Sequence, residues 1–160
     1  MKNRICDVII LAAGKSTRYA NTKAKQYVKI NGNSLIDIAI SNLAIIKPIN
    51  NIYVVLNKDS NYKSSTNLSN IKYVKGGSSR TRSVFNALKF IHDKEEVPDN
   101  VLVHDSARPY LESKDLKKLF SYSASLETGY ALGYPVTNAL KKVDKNLLVT
   151  ENLKRDNLYM

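Results

Sequence analysis

Short apolar runs alternate with longer amphipathic stretches over most of the chain. Runs rich in apolar or β-branched residues predict strands at 7–11, 51–56, 71–75, 100–104 and 130–136. Between them, apolar residues recur at helical spacing and predict helices at 34–46, 79–92 and 113–126, whereas the polar stretch 58–70 predicts a weak helix or a surface loop. Strands that alternate with helices predict an α/β fold with a mostly parallel sheet.

The pattern changes after residue 136. Two short β-prone runs, 140–143 and 147–150, flank Asp144, Lys145 and Asn146, which is typical of a β-hairpin. The hairpin is too short to be a separate domain. We therefore expect one domain over residues 1–160 from which residues 139–153 project as an arm.

Composition and charge limit the function classes. One Cys and two His leave no disulfide scaffold and too few ligands for a Cys-based zinc site. The longest apolar run, residues 8–13, is too short for a membrane span or a secretion signal, which predicts a cytoplasmic protein. The formal charge of +11 fits nucleic acid, a membrane surface or phosphorylated small molecules, and composition does not choose among them.

Candidate ligand-binding residues follow three predicted strands, at the positions where ligands bind in open α/β sheets. After the first strand come small residues that let the backbone approach a phosphate, and then two cations: Ala12, Ala13, Gly14, Arg18 and Lys25. Gly14-Lys15-Ser16 matches the end of a P-loop, but Ile9 stands where that motif requires Gly. An ordinary strand-to-loop turn is the alternative.

The other two loops follow the strands at 71–75 and 100–104. Gly76 and Gly77 precede a helix start with hydroxyl residues, which could bind an anion or a base edge or could simply cap the helix. Asp105 ends an apolar strand with Arg108 close behind, which suits a Mg²⁺–phosphate site or an Asp-capped turn. His104 is expected to be structural.

Taken in order, these motifs resemble the 2-C-methyl-D-erythritol 4-phosphate cytidylyltransferase family. The resemblance spans essentially the whole chain, and its most specific elements are Lys25-Gln26-Tyr27 and Val103-His104-Asp105 with Ala107-Arg108-Pro109. Its other matching stretches are Leu11 to Gly14 with Arg18, Gly76-Gly77 with Arg80 and Ser83-Val84, Pro135-Val136 with Lys141, and Val149-Thr150-Glu151 with Arg155. Val149-Thr150-Glu151 and Pro135-Val136-Thr137 especially resemble the cytidylyltransferase half of bifunctional enzymes that also carry a cyclodiphosphate synthase.

The resemblance implies a Rossmann-like nucleotidyltransferase fold and an activity. CMP would pass from CTP to 2-C-methyl-D-erythritol 4-phosphate, with Mg²⁺ as cofactor, in the non-mevalonate route to isoprenoid precursors. The acceptor phosphate would attack the α-phosphate of CTP in line, and pyrophosphate would leave without a covalent enzyme intermediate. Positioning and charge neutralisation would then supply the rate.

The resemblance also implies roles for individual residues. The catalytic residues would be Arg18, Lys25 and Arg155. The nucleotide would contact Ala12, Ala13, Gly14, Gly77, Ser78, Arg80, Ser83, Asp105 and Ser106. The acceptor would contact Asp105, Arg108, Ala139 and Arg155. Asp105 would hold Mg²⁺, and the arm at 139–153 would reach into the partner subunit of a homodimer.

The chain departs from the family pattern at several positions. Ala24 replaces a Pro, Asn138-Ala139 replaces Asp-Thr, Lys154 replaces an Asp and Tyr159 stands at a Trp position. The sequence stops at Met160, where the family continues with a further strand, a helix and a late Lys, so we expect a C-terminally incomplete domain that could turn over poorly.

Two alternative functions stay open. Because Asn138 and Ala139 fall in the acceptor-binding region, a cytidylyltransferase for another polyol phosphate such as ribitol 5-phosphate is one of them. A basic nucleic-acid-binding domain is an alternative from a different class. We expect neither nucleic acid nor a membrane as a partner.

Overall fold

The structure is a computed structural model that describes residues 5–14, 24–94, 96–121 and 129–160. The chain divides into two compact units, Met1–Ser113 and Lys114–Met160. Within the described ranges, none of the helices combines the length and the apolarity that a membrane crossing needs. The prediction of one domain with an arm at 139–153 stays a prediction.

Parallel strands form the sheet of the first unit. The strands of this unit are β1 (Cys6–Ala12), β2 (Lys29–Ile30), β3 (Asn33–Ser34), β4 (Ile49–Leu56), β5 (Ile71–Lys75) and β6 (Asn100–Asp105). Four of them pair in parallel in the order β5-β4-β1-β6, and β2 and β3 form a small antiparallel hairpin. In the register, Ala12 lies beside Leu56 and Leu11 beside Asp105, so the carboxyl ends of the strands meet at one edge.

Helices cover both faces of this sheet. Helix α1 (Leu35–Ala44) begins after Ser34 and α2 (Arg80–His92) after Ser79, and each Ser accepts a hydrogen bond from a backbone N–H of the first turn. On the α2 side the core consists of Ile9, Tyr53, Val55, Val74, Ala87 and Ile91. Side chains alternate along a strand, so the other face carries Val8, Ile10, Ile52 and Val54, which are fully buried. Burial on both faces explains the continuous apolar runs in the sequence.

Cys6 lies in β1 and is 1% exposed. Burial raises the pKa of its thiol to about 11. The thiol is therefore protonated at neutral pH and acts as a small apolar side chain.

The second unit contains a hairpin and a pair of extended segments. Helix α3 (Ser113–Ser121) starts at the boundary between the units, and the hairpin consists of β7 (Leu140–Val143) and β8 (Val149–Leu153). Oδ1 of Asp144 accepts the N–H groups of Asn146 and Leu148 and closes the turn. Tyr134 and Met160 exchange two backbone hydrogen bonds beside an isolated bridge between Pro135 and Tyr159.

Most predicted elements are confirmed within one or two residues, and the exceptions have physical reasons. The strand predicted at 130–136 is wrong, because Gly129 and Gly133 weaken an extended run and Pro135 has no N–H for a ladder. The stretch 58–70 forms a loop with no helix. The predicted helix 113–126 is confirmed as far as Ser121, and 122–128 lie outside the described residues. The second hairpin strand starts at Val149, two residues later than predicted, because Leu147 has a φ of +63° and belongs to the turn.

Candidate active site

A buried glutamine supports the loop after β1 through hydrogen bonds. Gln26 is 5% exposed, and its Nε2 donates to the carbonyl oxygens of Ala12 (2.8 Å) and Gly14 (3.1 Å). These two bonds lie on either side of Ala13 and fix the backbone to which the resemblance gives a nucleotide-binding role. Arg18, the catalytic candidate of this loop, lies outside the described residues.

Lys25 stands in a single 3-10 turn with Gln26 and Tyr27. The N–H of Tyr27 donates to the carbonyl of Ala24 (2.9 Å), and the N–H of Val28 to that of Lys25 (3.1 Å). Ala24 has a φ of −59°, an angle that a proline ring would also impose. The Ala that replaces the family's Pro therefore keeps the backbone geometry of this turn.

The loop after β5 touches the loop after β1. A methyl group added at Gly76 would lie 2.5 Å from Cβ of Ala13 and 3.0 Å from the carbonyl oxygen of Leu56, so only glycine fits there. The N–H of Gly76 donates to that same carbonyl at 2.7 Å. The first two predicted loops thus form one continuous backbone surface at the edge of the sheet.

Ser83 braces this second loop from the first turn of α2. It is 4% exposed, and its Oγ accepts the N–H of Gly77 (3.0 Å) while donating to the carbonyl of Ser79 (2.9 Å). Its hydroxyl is thus committed to the loop's own backbone, whereas Ser78 is exposed. The role that the resemblance gives Ser83, contact with the base, stays a prediction, and its bracing role is one that the sequence analysis missed.

The third loop brings a carboxylate to the same edge. Oδ1 of Asp105 lies 3.3 Å from Nη2 of Arg80, and its Oδ2 lies 3.8 Å from Nε of Arg108. Ser106 is buried, and both its N–H (3.2 Å) and its Oγ (2.7 Å) donate to the carbonyl of Leu11, which ties this loop to the end of β1. The loop after β5 and the loop after β6 therefore meet through the ion pair between Arg80 and Asp105.

His104 supports the third loop from inside. Its Nε2 lies 2.9 Å from the carbonyl oxygen of Arg108, and the ring is buried. Burial, the largest influence, lowers the pKa of His104, although the Arg108 carbonyl and the Asp105 charge favour the protonated form. The neutral imidazole can donate Nε2–H to that carbonyl, in agreement with the structural role expected for it.

Comparison with known proteins shows the family to which the chain belongs. The model of the family described as "2-C-methyl-D-erythritol 4-phosphate cytidylyltransferase" matches residues 6–160. The chain belongs to this family. Curated proteins of the same description from Vibrio vulnificus and Tolumonas auensis are 30% and 32% identical over 154 residues, which is 94% of this chain in each case. A bifunctional enzyme IspD/IspF of Pelagibacter ubique is 33% identical over 153 residues and 95% of this chain.

Solved structures of the cytidylyltransferase family share the fold. The Francisella tularensis 2-C-methyl-D-erythritol 4-phosphate cytidylyltransferase superposes with a TM-score of 0.73 at 29% identity, over 98% of this chain and 69% of that one. The bifunctional IspDF of Campylobacter jejuni gives a TM-score of 0.69 at 29% identity, over 98% of this chain and 38% of that one. The predicted Rossmann-like nucleotidyltransferase fold is thereby confirmed.

The chain is shorter than the relatives it matches. It spans 65% of the Vibrio vulnificus protein, 66% of the Tolumonas auensis protein and 40% of the bifunctional Pelagibacter ubique enzyme. The activity, substrates and partners of the complete cytidylyltransferases therefore come to this chain only as proposals.

The donor set at Asp105 suits a magnesium ion that takes most of its ligands from a substrate. Among the described residues, no group of three or more His, Cys, Asp or Glu side chains is placed to hold a metal. Asp105 offers a half-exposed carboxylate between two guanidinium groups. Mg²⁺ commonly binds one or two carboxylates and completes its octahedron with substrate phosphates and water. An ion that arrives with a nucleotide would bind Asp105 in exchange for its ion pairs with Arg80 and Arg108.

The acceptor candidates of the second unit lie on its exposed surface. Nη1 of Arg155 donates to the carbonyl of Thr137, and Lys141 bonds Oδ1 of Asn152 across the hairpin. Ala139 is exposed and has no side-chain hydrogen-bonding group.

Proposed function

We propose that the chain transfers CMP from CTP to 2-C-methyl-D-erythritol 4-phosphate, in the formation of isoprenoid precursors. The observation that carries the proposal is the meeting of three loops at one sheet edge in a chain of this family. Gly76 touches Ala13, and Arg80 pairs with Asp105. A backbone surface for a nucleotide and a charged cluster for phosphates thus adjoin each other.

The proposed reaction is a single displacement. An oxygen of the acceptor phosphate forms a bond to the α-phosphorus of CTP, the bond to the bridging oxygen breaks, and pyrophosphate leaves with that electron pair. Arg18 and Lys25 would stabilise the negative charge of the transition state, and Arg108 and Arg155 would hold the acceptor. Mg²⁺, held by Asp105 and phosphate oxygens, would neutralise charge on the triphosphate. These roles come from the family's motifs and stay proposals.

We also propose a homodimer formed through the arm at 139–153, in the cytoplasm, where CTP is available. The exposed apolar side chains of Leu147, Leu148 and Val149 support an interface at the tip of the hairpin. Light scattering of the wild-type chain and of a Leu148→Lys variant tests this. A dimer that the variant converts to a monomer is expected, and a monomeric wild type contradicts it.

The activity is tested by pyrophosphate release. The chain is incubated with Mg²⁺, CTP and 2-C-methyl-D-erythritol 4-phosphate, and parallel reactions contain ATP, GTP or UTP, or ribitol 5-phosphate as acceptor. We expect release with CTP and the methylerythritol phosphate only. Release with ribitol 5-phosphate alone would overturn the acceptor, and no release with any acceptor would overturn the activity. A nucleic-acid binder would instead show an affinity for DNA or RNA that falls steeply with salt.

A further inference from the structure

A buried carboxylate organises the long loop between β4 and β5. Residues 57–70 contain no regular element, and a loop of this length in a compact domain is often functional. Asp37, which is 8% exposed in the first turn of α1, accepts hydrogen bonds from this loop through Oδ1. The donors are Oη of Tyr62 (2.6 Å), Oγ of Ser64 (2.7 Å) and the N–H of Ser65 (3.1 Å).

Asp37 remains ionised in this position. Burial opposes its charge, but the hydrogen bonds from Ser34, Tyr62, Ser64 and the Ser65 amide outweigh that cost and hold the pKa of the carboxyl below its ordinary value. Hydrogen bonds to a carboxylate are stronger than neutral ones, so Asp37 holds the loop firmly.

Tyr62 connects this loop to the turn that carries Lys25. Its ring centroid lies 5.4 Å from that of Tyr27, and Oη of Tyr27 lies 2.9 Å from Oγ of Ser60. Oγ of Ser60 also accepts the N–H of Tyr62 (3.3 Å). Tyr62 therefore contacts the ring of Tyr27, and Ser60 of the same loop bonds its hydroxyl.

The contacts continue to the backbone beside the proposed nucleotide. Tyr27 directly follows Gln26, whose amide grips the carbonyls of Ala12 and Gly14. A continuous path therefore runs from Asp37 through Tyr62 and Tyr27 to the loop after β1. The capping of α1 needs only the hydrogen bond that Oγ of Ser34 accepts from the N–H of Asp37. The further bonds that the Asp37 carboxylate accepts therefore serve the loop.

We propose that Tyr62 and Asp37 are positioning residues that set the geometry of residues 12–14 through Tyr27 and Gln26. The link to CTP rests on the proposed function, whereas the link to the backbone does not. If these contacts position the backbone, a less ordered Tyr62 weakens the hydrogen bonds of Gln26 to Ala12 and Gly14. We then expect the affinity for the nucleotide to fall more than kcat does.

The test compares two single-hydroxyl deletions in the same unit. Tyr62→Phe keeps the ring against Tyr27 and removes the bond to Asp37. Tyr73→Phe is the matched control, since its hydroxyl accepts the N–H of Ser64 (2.8 Å) and anchors the same loop at a donor to Asp37 that is not part of the connection from Asp37 through Tyr62 to Tyr27. The first readout is hydrogen exchange of the Gln26 side-chain amide, measured by NMR, and the second is KM for CTP against kcat.

We expect Tyr62→Phe to raise the exchange rate of the Gln26 amide and the KM for CTP about fivefold, as loss of one hydrogen bond would, with kcat within about twofold of wild type. Asp37→Asn should act in the same direction. Unchanged Gln26 exchange in Tyr62→Phe, or an equal change in Tyr73→Phe, would overturn the proposal. A wild-type chain that releases no pyrophosphate would overturn the proposed function, while Gln26 exchange would still decide the positioning role.

Discussion

Nη2 of Arg80 lies 3.3 Å from Oδ1 of Asp105, so the first turn of α2 meets the end of β6 through an ion pair. The pair is largely exposed, and exposed pairs contribute about 0–1 kcal/mol to stability. Its importance is therefore expected in the chemistry rather than in the folding.

Asp105→Asn separates these two effects. We expect pyrophosphate release to fall about 100-fold, because the proposed Mg²⁺ would lose the carboxylate assigned to it, while the free energy of unfolding changes by less than about 1 kcal/mol. Asp93→Asn, at the exposed C-terminal end of α2, removes the same charge as a control and should leave turnover unchanged. Equal turnover in Asp105→Asn and wild type would remove Asp105 from the site.

Gly76→Ala tests the contact between the first two loops. The added methyl group would lie 2.5 Å from Cβ of Ala13, and relief of that overlap should cost about 1–3 kcal/mol of unfolding free energy and raise the KM for CTP. Gly129→Ala is the control, since a Cβ there meets nothing within 4 Å. Urea unfolding measures both variants, and wild-type stability in Gly76→Ala would contradict the contact.

Gln26→Glu places a carboxylate against two carbonyl oxygens. Both hydrogen bonds of the amide are lost inside the protein, which should cost about 2 kcal/mol or more of unfolding free energy. Asn86→Asp makes the same amide-to-carboxylate change against the carbonyl of Lys75 at a more exposed site, where a much smaller loss is expected. Similar thermal unfolding of the two variants would refute the bracing role of Gln26.

Arg18→Ala tests the family's assignment for a residue outside the described ranges. We expect turnover to fall about 100- to 1,000-fold, as when one preorganised donor to a developing charge is removed. The circular dichroism spectrum and the unfolding midpoint should match those of the wild type. Near-normal turnover would show that Arg18 does not act in the site.

His104 should make the stability depend on pH. Because its pKa is lowered in the folded state, the unfolded chain binds more protons below about pH 6.5. The stabilisation is complete above the unfolded pKa of His and is lost as the pH falls below it. His104→Gln should flatten the dependence of the urea-unfolding free energy on pH between pH 7 and pH 5. An unaltered pH dependence in His104→Gln would contradict the buried neutral ring.

Local sequence patterns predict the strands and helices well, because these elements depend mainly on interactions between residues that are close in the sequence. The strand at 71–75 and the caps at Ser34 and Ser79 follow from apolar periodicity and from hydroxyls that satisfy the first backbone N–H groups of a helix. Parallel strands end at one edge, so Asp105 and the glycine loop could be expected to lie together. The hairpin of β2 and β3 was missed, although its turn, Asn31-Gly32, carries a recognised hairpin signal.

Side-chain hydrogen bonds that depend on the shape of a loop or on the packing of distant elements could not be predicted. The hydroxyl of Ser83 bonds the backbone of Gly77 and Ser79 because of the shape of the glycine loop, and its contact with the base stays a prediction. The contacts of Asp37 with residues 25 to 28 positions away depend on how α1 packs beside the loop, which no local pattern encodes. The strand predicted at 130–136 was wrong because its apolar run also contains Gly133 and Pro135, which weaken a strand, and the stretch is largely exposed.

The buried thiol of Cys6 gives the protein a practical advantage for spectroscopy. It is the only cysteine of the sequence, and its raised pKa and burial keep it from reacting with maleimides at neutral pH. A cysteine introduced at an exposed position, such as Lys145 in the hairpin turn, would therefore take up a dye or spin label selectively. The mobility and solvent exposure of such a label could report on the hairpin without removal of any native residue from the core.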